Sequence, residues 1–174
     1  MPLLFRRLAA YLVDCALLFV GLLALQAVLA PINPIMAIIN RGETFAGWQL
    51  HLWVSATTTI PFLLYFSATI ASSRQGTIAM RWFGLRVVGL DGRPVGFPRA
   101  ILRSAVLLVP FEINHAVMFH LSPGAGQESG LLLIAAIAVV WIVILLFLIS
   151  AAVSPLGQSI HDRIAGTVVR RLSV

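Results

Sequence analysis

The sequence predicts an all-α membrane protein: four transmembrane helices carrying a small cytoplasmic cap, itself a short amphipathic helix plus a β-hairpin. Three observations predict it. Of 174 residues, 60% are hydrophobic and only 10% are charged, where a soluble domain carries about 25% charged residues. Four apolar stretches each reach the roughly 20 residues that a bilayer requires. The basic residues, all of them arginine, fall almost entirely before the first stretch, between or at the edge of the second and third, and after the fourth. The length suits one domain, and no linker, repeat or low-complexity segment divides residues 1–174.

The first span covers residues 8–30, directly after Arg6 and Arg7. Its apolar run exceeds the about 7–15 residues of a signal-peptide core and contains Asp14, so an uncleaved span is expected. The second covers residues 48–72, the third 100–121 and the fourth 130–153. The third is the most polar, with Arg103, Glu112, Asn114 and His115 inside it. Pro61 and Pro110 are expected to kink spans two and three, and the Thr57-Thr58-Thr59 run can cap carbonyls freed by the first kink. Residues 31–47 and 122–129 connect the spans on one side. The first carries an apolar patch at 35–39 suited to the interface, and the second is a short Gly-rich turn.

Arginine placement sets the orientation. Arg6 and Arg7 precede span one; Arg74, Arg81, Arg86, Arg93, Arg99 and Arg103 lie between spans two and three or at the start of three; Arg163, Arg170 and Arg171 follow span four. Only Arg41 falls on the opposite side. By the positive-inside rule both termini, the loop 73–99 and the segment 154–174 are cytoplasmic. The formal charge of +6 thus reports topology and lipid contact rather than nucleic acid.

The loop 73–99 carries its own local signals. Thr77 can cap a short segment over 78–84, where Trp82 and Phe83 beside Arg81 suit a helix in the headgroup layer. Residues 85–90 read as a strand, Asp91-Gly92 as a hairpin turn, and 94–97 as a brief return strand before Pro98 opens the third helix. The Thr167-Val168-Val169 run can add to that sheet.

A carboxylate at the depth of Asp14 costs a few kcal/mol unless it is paired or faces protein or water. Arg7 lies seven positions earlier, close to two helical turns, so both side chains point to nearly the same side. The axial gap of roughly 10 Å is too long for a tight ion pair, so a group from another helix is expected to meet Asp14. Arg103 can reach the same depth. Either an interhelical pair fixes packing, or Asp14 exchanges proton, cation and arginine as a carrier. Asp162, in His161-Asp162-Arg163, can dock onto Arg7, Arg81 or Arg103 and latch the C-terminus. Glu112 and His115, three apart, can interact, either as a polar helix end near headgroups or as a proton path towards Asp14. Cys15 is alone, so no intrachain disulfide forms.

Enzyme chemistry finds no motif: there is no nucleotide loop, zinc-type Cys/His spacing or nucleophile elbow. No cofactor and no metal are expected, and the chain is read as not an enzyme.

Three blocks carry a family likeness. FRRLAAYLVDCALL at 5–18, GTIAMRWFGLRVVGLDGRPVGFPRAILR at 76–103 and GQSIHDRIAGTVV at 157–169 together resemble the RDD family of bacterial membrane proteins, named for one arginine and two aspartates. The resemblance puts those residues at Arg7, Asp14 and Asp162. Where many members have Thr-Leu-Gly-Lys-Arg, this chain has Thr77-Ile78-Ala79-Met80-Arg81, so one cytoplasmic cation is lost. The resemblance implies a multi-pass protein of the bacterial inner membrane with a bent towards transport, some members being described as cation/proton antiporters.

Two functions follow. One is a transporter of a small solute or cation, with Asp14 as carrier, Arg7 or Arg103 as its counter-charge, and a homo-oligomer to complete a thin four-span pathway. The other is a non-transporting scaffold or subunit whose cap docks a partner protein. Beyond the lipid bilayer, a small cation, a proton or a membrane-protein partner are the candidate partners.

Overall fold

The computed structural model describes residues 3–33, 47–120 and 130–172 of the chain. Four helices are long and apolar enough to cross a membrane. Helix α1 (Leu3–Leu29) continues into a 3₁₀ turn at Ala30–Ile32, where Pro31 tightens the end. Helix α2 (Gly47–Ala71) is interrupted by a π-helical turn, α4 spans Phe97–His120, and α5 spans Gly130–Val153. The four helices overlap the expected spans, α1 beginning at Leu3 where the span is expected from residue 8. The connections 34–46 and 121–129, with Arg41, the 35–39 patch and the Gly-rich turn, lie outside the described residues.

The π turn at Ser55–Thr59 has a sequence cause. Pro61 has no N–H to close the ordinary bond four residues back, and the ladder resumes when Ile60 N–H reaches Ser55 O, five back. The threonine run serves a carbonyl only in part. Thr57 donates to Trp53 O at 2.8 Å, while Thr59 turns outward to Glu112. Pro110 sits inside α4, which remains one helix around it.

The cap consists of α3 (Ile78–Trp82), β1 (Leu85–Gly89), α6 (Ile160–Ile164) and β2 (Thr167–Arg171). Thr77 caps α3, its hydroxyl accepting Met80 N–H at 3.1 Å. β1 and β2 pair antiparallel, with Val87 opposite Val169 and Val88 opposite Val168. The Asp91-Gly92 turn forms as expected, Gly92 taking φ +78° and Gly89 N–H donating to Arg93 O at 2.9 Å. The return segment contributes a single bridge, Val88 to Pro94. Pro94 has no N–H to extend a ladder, so the full partner of β1 is the C-terminal β2.

Packing is concentrated in the cap. Leu85 and Val87 have no exposed surface, and Val88, Val95 and Val169 are each 2% exposed. They join Ile70 of α2 and Ala79 of α3, also fully buried. The spans instead turn large apolar side chains outward: Leu131, Trp141 and Leu145 on α5, Leu12, Phe19 and Val20 on α1. That surface suits hydrocarbon, since lipid supplies the contacts a soluble core would. The start of α1, the end of α2, the start of α4, the end of α5 and β2 all meet at the cap, which is the arginine end of the molecule.

Candidate functional site

Asp14 is 2% exposed and lies one turn beyond Ala10, the other buried residue of α1. Ala10 is small enough to let α3 pack closely against α1. Three donors converge on the carboxylate. Tyr65 OH donates to Oδ1 at 2.8 Å, Ala79 N–H donates to the same oxygen at 3.2 Å, and the Thr77 hydroxyl donates to Oδ2. Tyr65 in turn accepts Ile78 N–H at 3.2 Å. Asp14 therefore sits on the N-terminal turn of α3, where free amides favour an anion. A group from another helix does meet it, as the depth argument required, but that group is Tyr65. Among the described residues no arginine pairs with Asp14, which corrects the expectation that Arg7 or Arg103 is its counter-charge.

Both arginines go to Asp162 instead. Arg7 Nη2 lies 2.5 Å from Oδ2, and Arg103 donates from Nε to Oδ1 at 2.9 Å with Nη2 equally close. Ser159 N–H adds a bond to Oδ2 at 3.2 Å. Arg7 Nη1 also donates to Gly157 O. Gly157 holds φ +65°, which turns the chain sharply after α5 and suits only glycine without strain. The latch expected of Asp162 thus closes on two of its three candidate arginines. Arg81 is elsewhere, its Nε donating to Gly76 O at 2.9 Å and Thr77 O at 3.2 Å.

Asp162 has no exposed surface and Arg103 is 4% exposed. Burial alone raises the Asp162 carboxyl, but the guanidiniums of Arg103 and Arg7 outweigh it and hold the group well below the usual carboxylate range. His161 shares the layer, with Nε2 3.2 Å from Arg103 Nη2. Its pKa is pushed down to about 3, first by burial and then by the Arg103 charge. The imidazole is neutral across the physiological range.

A cavity of about 460 Å³ opens between α1, α4 and α5. It is open at the side of the bundle: of its apolar lining, Leu12 and Trp141 are 67% and 61% exposed at the rim, while Leu107 and Phe147 are half-buried. One end is the charged layer, where Arg7, Asp14, Arg103 and His161 all reach the cavity lining. From Arg103 to Phe111 along α4 it runs about 12 Å.

Glu112 and His115 lie on the far half of α4, away from Asp14. His115 Nδ1 is 3.2 Å from Glu112 Oε1, so the pair expected from their spacing forms. The same carboxylate meets His51 Nε2 at 3.3 Å, Ser55 Oγ at 3.4 Å and the Thr59 hydroxyl. His51 Nδ1 continues to His120 Nε2 at 3.1 Å. Four side chains thus converge on the Glu112 carboxylate, with His120 reached through His51, and among the described residues no three His, Cys, Asp or Glu share a metal position. Among the described residues no hydrogen bond joins this cluster to Asp14.

Sequence reasoning missed Tyr65, Gly157 and His51. Tyr65 left a legible signal, a hydroxyl-bearing ring near the arginine end of an apolar span, which needs a buried partner. Gly157 was legible only as a turn former, because its contribution is a backbone carbonyl. His51 joins Glu112 from another helix, and nothing in its own neighbourhood points there.

No curated protein and no solved structure matches the chain. The family model described as RDD family matches residues 1–166, which takes in Arg7, Asp14, the α3–β1 segment and Asp162. The chain belongs to the RDD family.

Proposed function

We propose that this membrane protein transports a small solute, with the cavity between α1, α4 and α5 as its solute pocket and the cap as the gate at one end. The observation that supports the reading is the cavity itself: about 460 Å³ of space between membrane-crossing helices, open at its side and ending on a buried layer of charge. Such volumes are typical of small-molecule sites, roughly 300–1,000 Å³. In this reading Arg7, Asp14 and Asp162 are gate residues rather than carriers. A small solute is favoured over a cation, because both oxygens of Asp14 already accept hydrogen bonds that a cation must displace.

The remaining features of the proposal follow from charge and size. The arginine end faces the cytoplasm of a bacterial cell, by the positive-inside rule. The chain is not an enzyme, and a homo-oligomer completes the pathway. The scaffold reading keeps one specific support, that both signature aspartates bind cap groups and so serve assembly.

Leu107 lines the cavity one helical turn beyond Arg103, and labelling at this position separates the two. In a Cys15→Ser background, Leu107→Cys is placed in oriented vesicles and exposed to a membrane-impermeant thiol reagent from each side in turn. A transporter gives labelling from both sides. A scaffold gives labelling from one side or neither. Sodium, potassium and lithium pulses with a trapped pH dye test cation/proton exchange in the same vesicles.

A further inference from the structure

The ends of α2 and α4 remote from the cap carry a second cluster of titratable groups. Glu112 of α4 accepts from three side chains of α2: His51 Nε2 at 3.3 Å, Ser55 Oγ at 3.4 Å and the Thr59 hydroxyl. It also accepts from His115 Nδ1 on its own helix at 3.2 Å. A carboxylate only accepts, so the imidazole nitrogens facing it carry protons. With its Nε2 proton on Glu112, a neutral His51 has Nδ1 free to accept, and His120 Nε2 donates to it at 3.1 Å. Near neutrality every contact of this clasp is matched, and α4 presents one negative charge to the imidazole of α2.

The part of α2 held by the clasp has little else to hold it. The π-helical turn at Ser55–Thr59, with Pro61 just beyond, divides the helix, and such interruptions are where helices bend. On the cap side of the turn Phe66, Ser67 and Ile70 are buried, whereas none of the 8 residues Gly47–Val54 is. That outer segment also meets α4 where Gly47 lies against Phe119 O, too close for any side chain, and where the His51 ring packs beside Phe119.

Counting charge gives the sign of the response to acid. Imidazoles titrate between about pH 5 and 8. Charging His51 alone strengthens its attraction to Glu112. Once His51, His115 and His120 are all charged, α4 presents two cations and one anion to a cation on α2, and the sum is repulsive. His51 Nδ1 and His120 Nε2 then both carry protons, and two donors share no hydrogen bond. Among the described residues no other charge faces the cluster. α5 has no ionisable side chain, those of α1 end at Cys15 in the half nearest the cap, and Tyr65 of α2 is bonded to Asp14. Arg99 and Arg103 stand at the cap end of α4, and Arg41, Glu43 and Glu128 lie outside the described residues.

We propose that Gly47–Val54 is a flap that swings on the π turn under the control of pH: His51 clasps it to Glu112 and His120 near neutrality, and charging of all three histidines releases it. The inference goes beyond the transport reading and does not depend on it.

The experiment uses the full chain in nanodiscs with Cys15→Ser. Spin labels on Leu52→Cys and Met118→Cys, both exposed positions, report the flap against α4 by double electron–electron resonance. Labels on Leu64→Cys and Leu102→Cys, also exposed, report the cap-end halves of the same two helices. From pH 8 to pH 5 the first distance should lengthen by several ångströms, as a segment about 12 Å long tilts, while the second stays constant. His51→Gln and His120→Gln each remove one of the repelling charges and should abolish the lengthening. Glu112→Gln removes the anion and should move the release to higher pH. A first distance that ignores pH overturns the proposal. So does a lengthening that persists unchanged in both histidine variants, or one that the second pair of labels shares.

Discussion

Arg7 and Asp14 share one side of α1 yet hold different pieces of the cap. Arg7 reaches the segment after α5, through Gly157 O and Asp162. Asp14 reaches the segment after α2, through Thr77 and Ala79. The two pieces are then joined to each other by the β1–β2 ladder. One helix near the N-terminus thereby gathers residues more than 150 positions apart along the chain. Arg7, Asp14 and Asp162 act here as fasteners of one assembly.

Asp14→Ala should destabilise the protein without unfolding the spans. It leaves three donors facing nothing but also removes a buried charge that is costly to desolvate, so the loss is less than the sum of three bonds of about 1.5–3 kcal/mol each. A loss of about 3 kcal/mol in all is expected, read as a lower thermal midpoint in detergent. Asp14→Asn keeps an acceptor and should lose about half as much. Tyr65→Phe removes one donor and should cost less than either. A wild-type midpoint for Asp14→Ala contradicts fastening and returns the residue to a carrier role.

Breaking the latch on one side leaves a charge buried and unpaired. Asp162→Asn should therefore cost about 3–5 kcal/mol. Arg7→Met and Asp162→Asn should be strongly non-additive, because each removes the same contact. A double-mutant cycle on thermal midpoints measures this, and additive effects contradict the pairing.

Acid should loosen the cap in two stages. His161 has a folded pKa of about 3, below its ordinary value of 6.5, so the unfolded chain binds the extra proton between those limits. Its contribution to stability is complete above about pH 6.5 and falls with acid by about 1.4 kcal/mol per pH unit down to about pH 3. Asp162 is also lowered, and its contribution is present above the ordinary carboxylate pKa and lost as pH drops through its folded value. The first stage should vanish in His161→Gln, which has no proton to gain. Thermal midpoints from pH 7 to pH 4 check it; an unchanged slope in His161→Gln rejects the assignment.

Much of this arrangement was legible in sequence because lipid imposes strong rules. Span positions, the arginine end and the capping by Thr77 each follow from a local pattern, and each is found. The pairing of Asp14 was not legible. A helical wheel places Arg7 and Asp14 on one side, and charge alone then favours pairing them or recruiting Arg103. The structure satisfies Asp14 with neutral donors instead, because Asp162 lies close enough to take both guanidiniums. That choice depends on where the C-terminal segment folds back, which is set by the turn at Gly157 and the β1–β2 ladder. The partner of β1 was obscured for a related reason, since the nearer candidate at 94–97 begins with a proline.

Gly157→Ala tests that turn. A side chain at φ +65° costs about 1–2 kcal/mol, and the space there is open enough that no clash adds to it. The thermal midpoint should fall by a few degrees, with α-helical circular dichroism unchanged. A stabilised Gly157→Ala contradicts the conformation.

Hydrogen exchange in the cap tests the fastening of both pieces to α1 most directly. Amides of β1 and β2 are compared by mass spectrometry in wild type, Asp14→Asn and Asp162→Asn at pH 7. Fastening predicts that each variant speeds exchange in both strands, since either loss frees one half of a joined cap, while the span amides stay protected. Wild-type protection of β1 and β2 in both variants would show that the cap holds without its signature residues and would contradict the assignment.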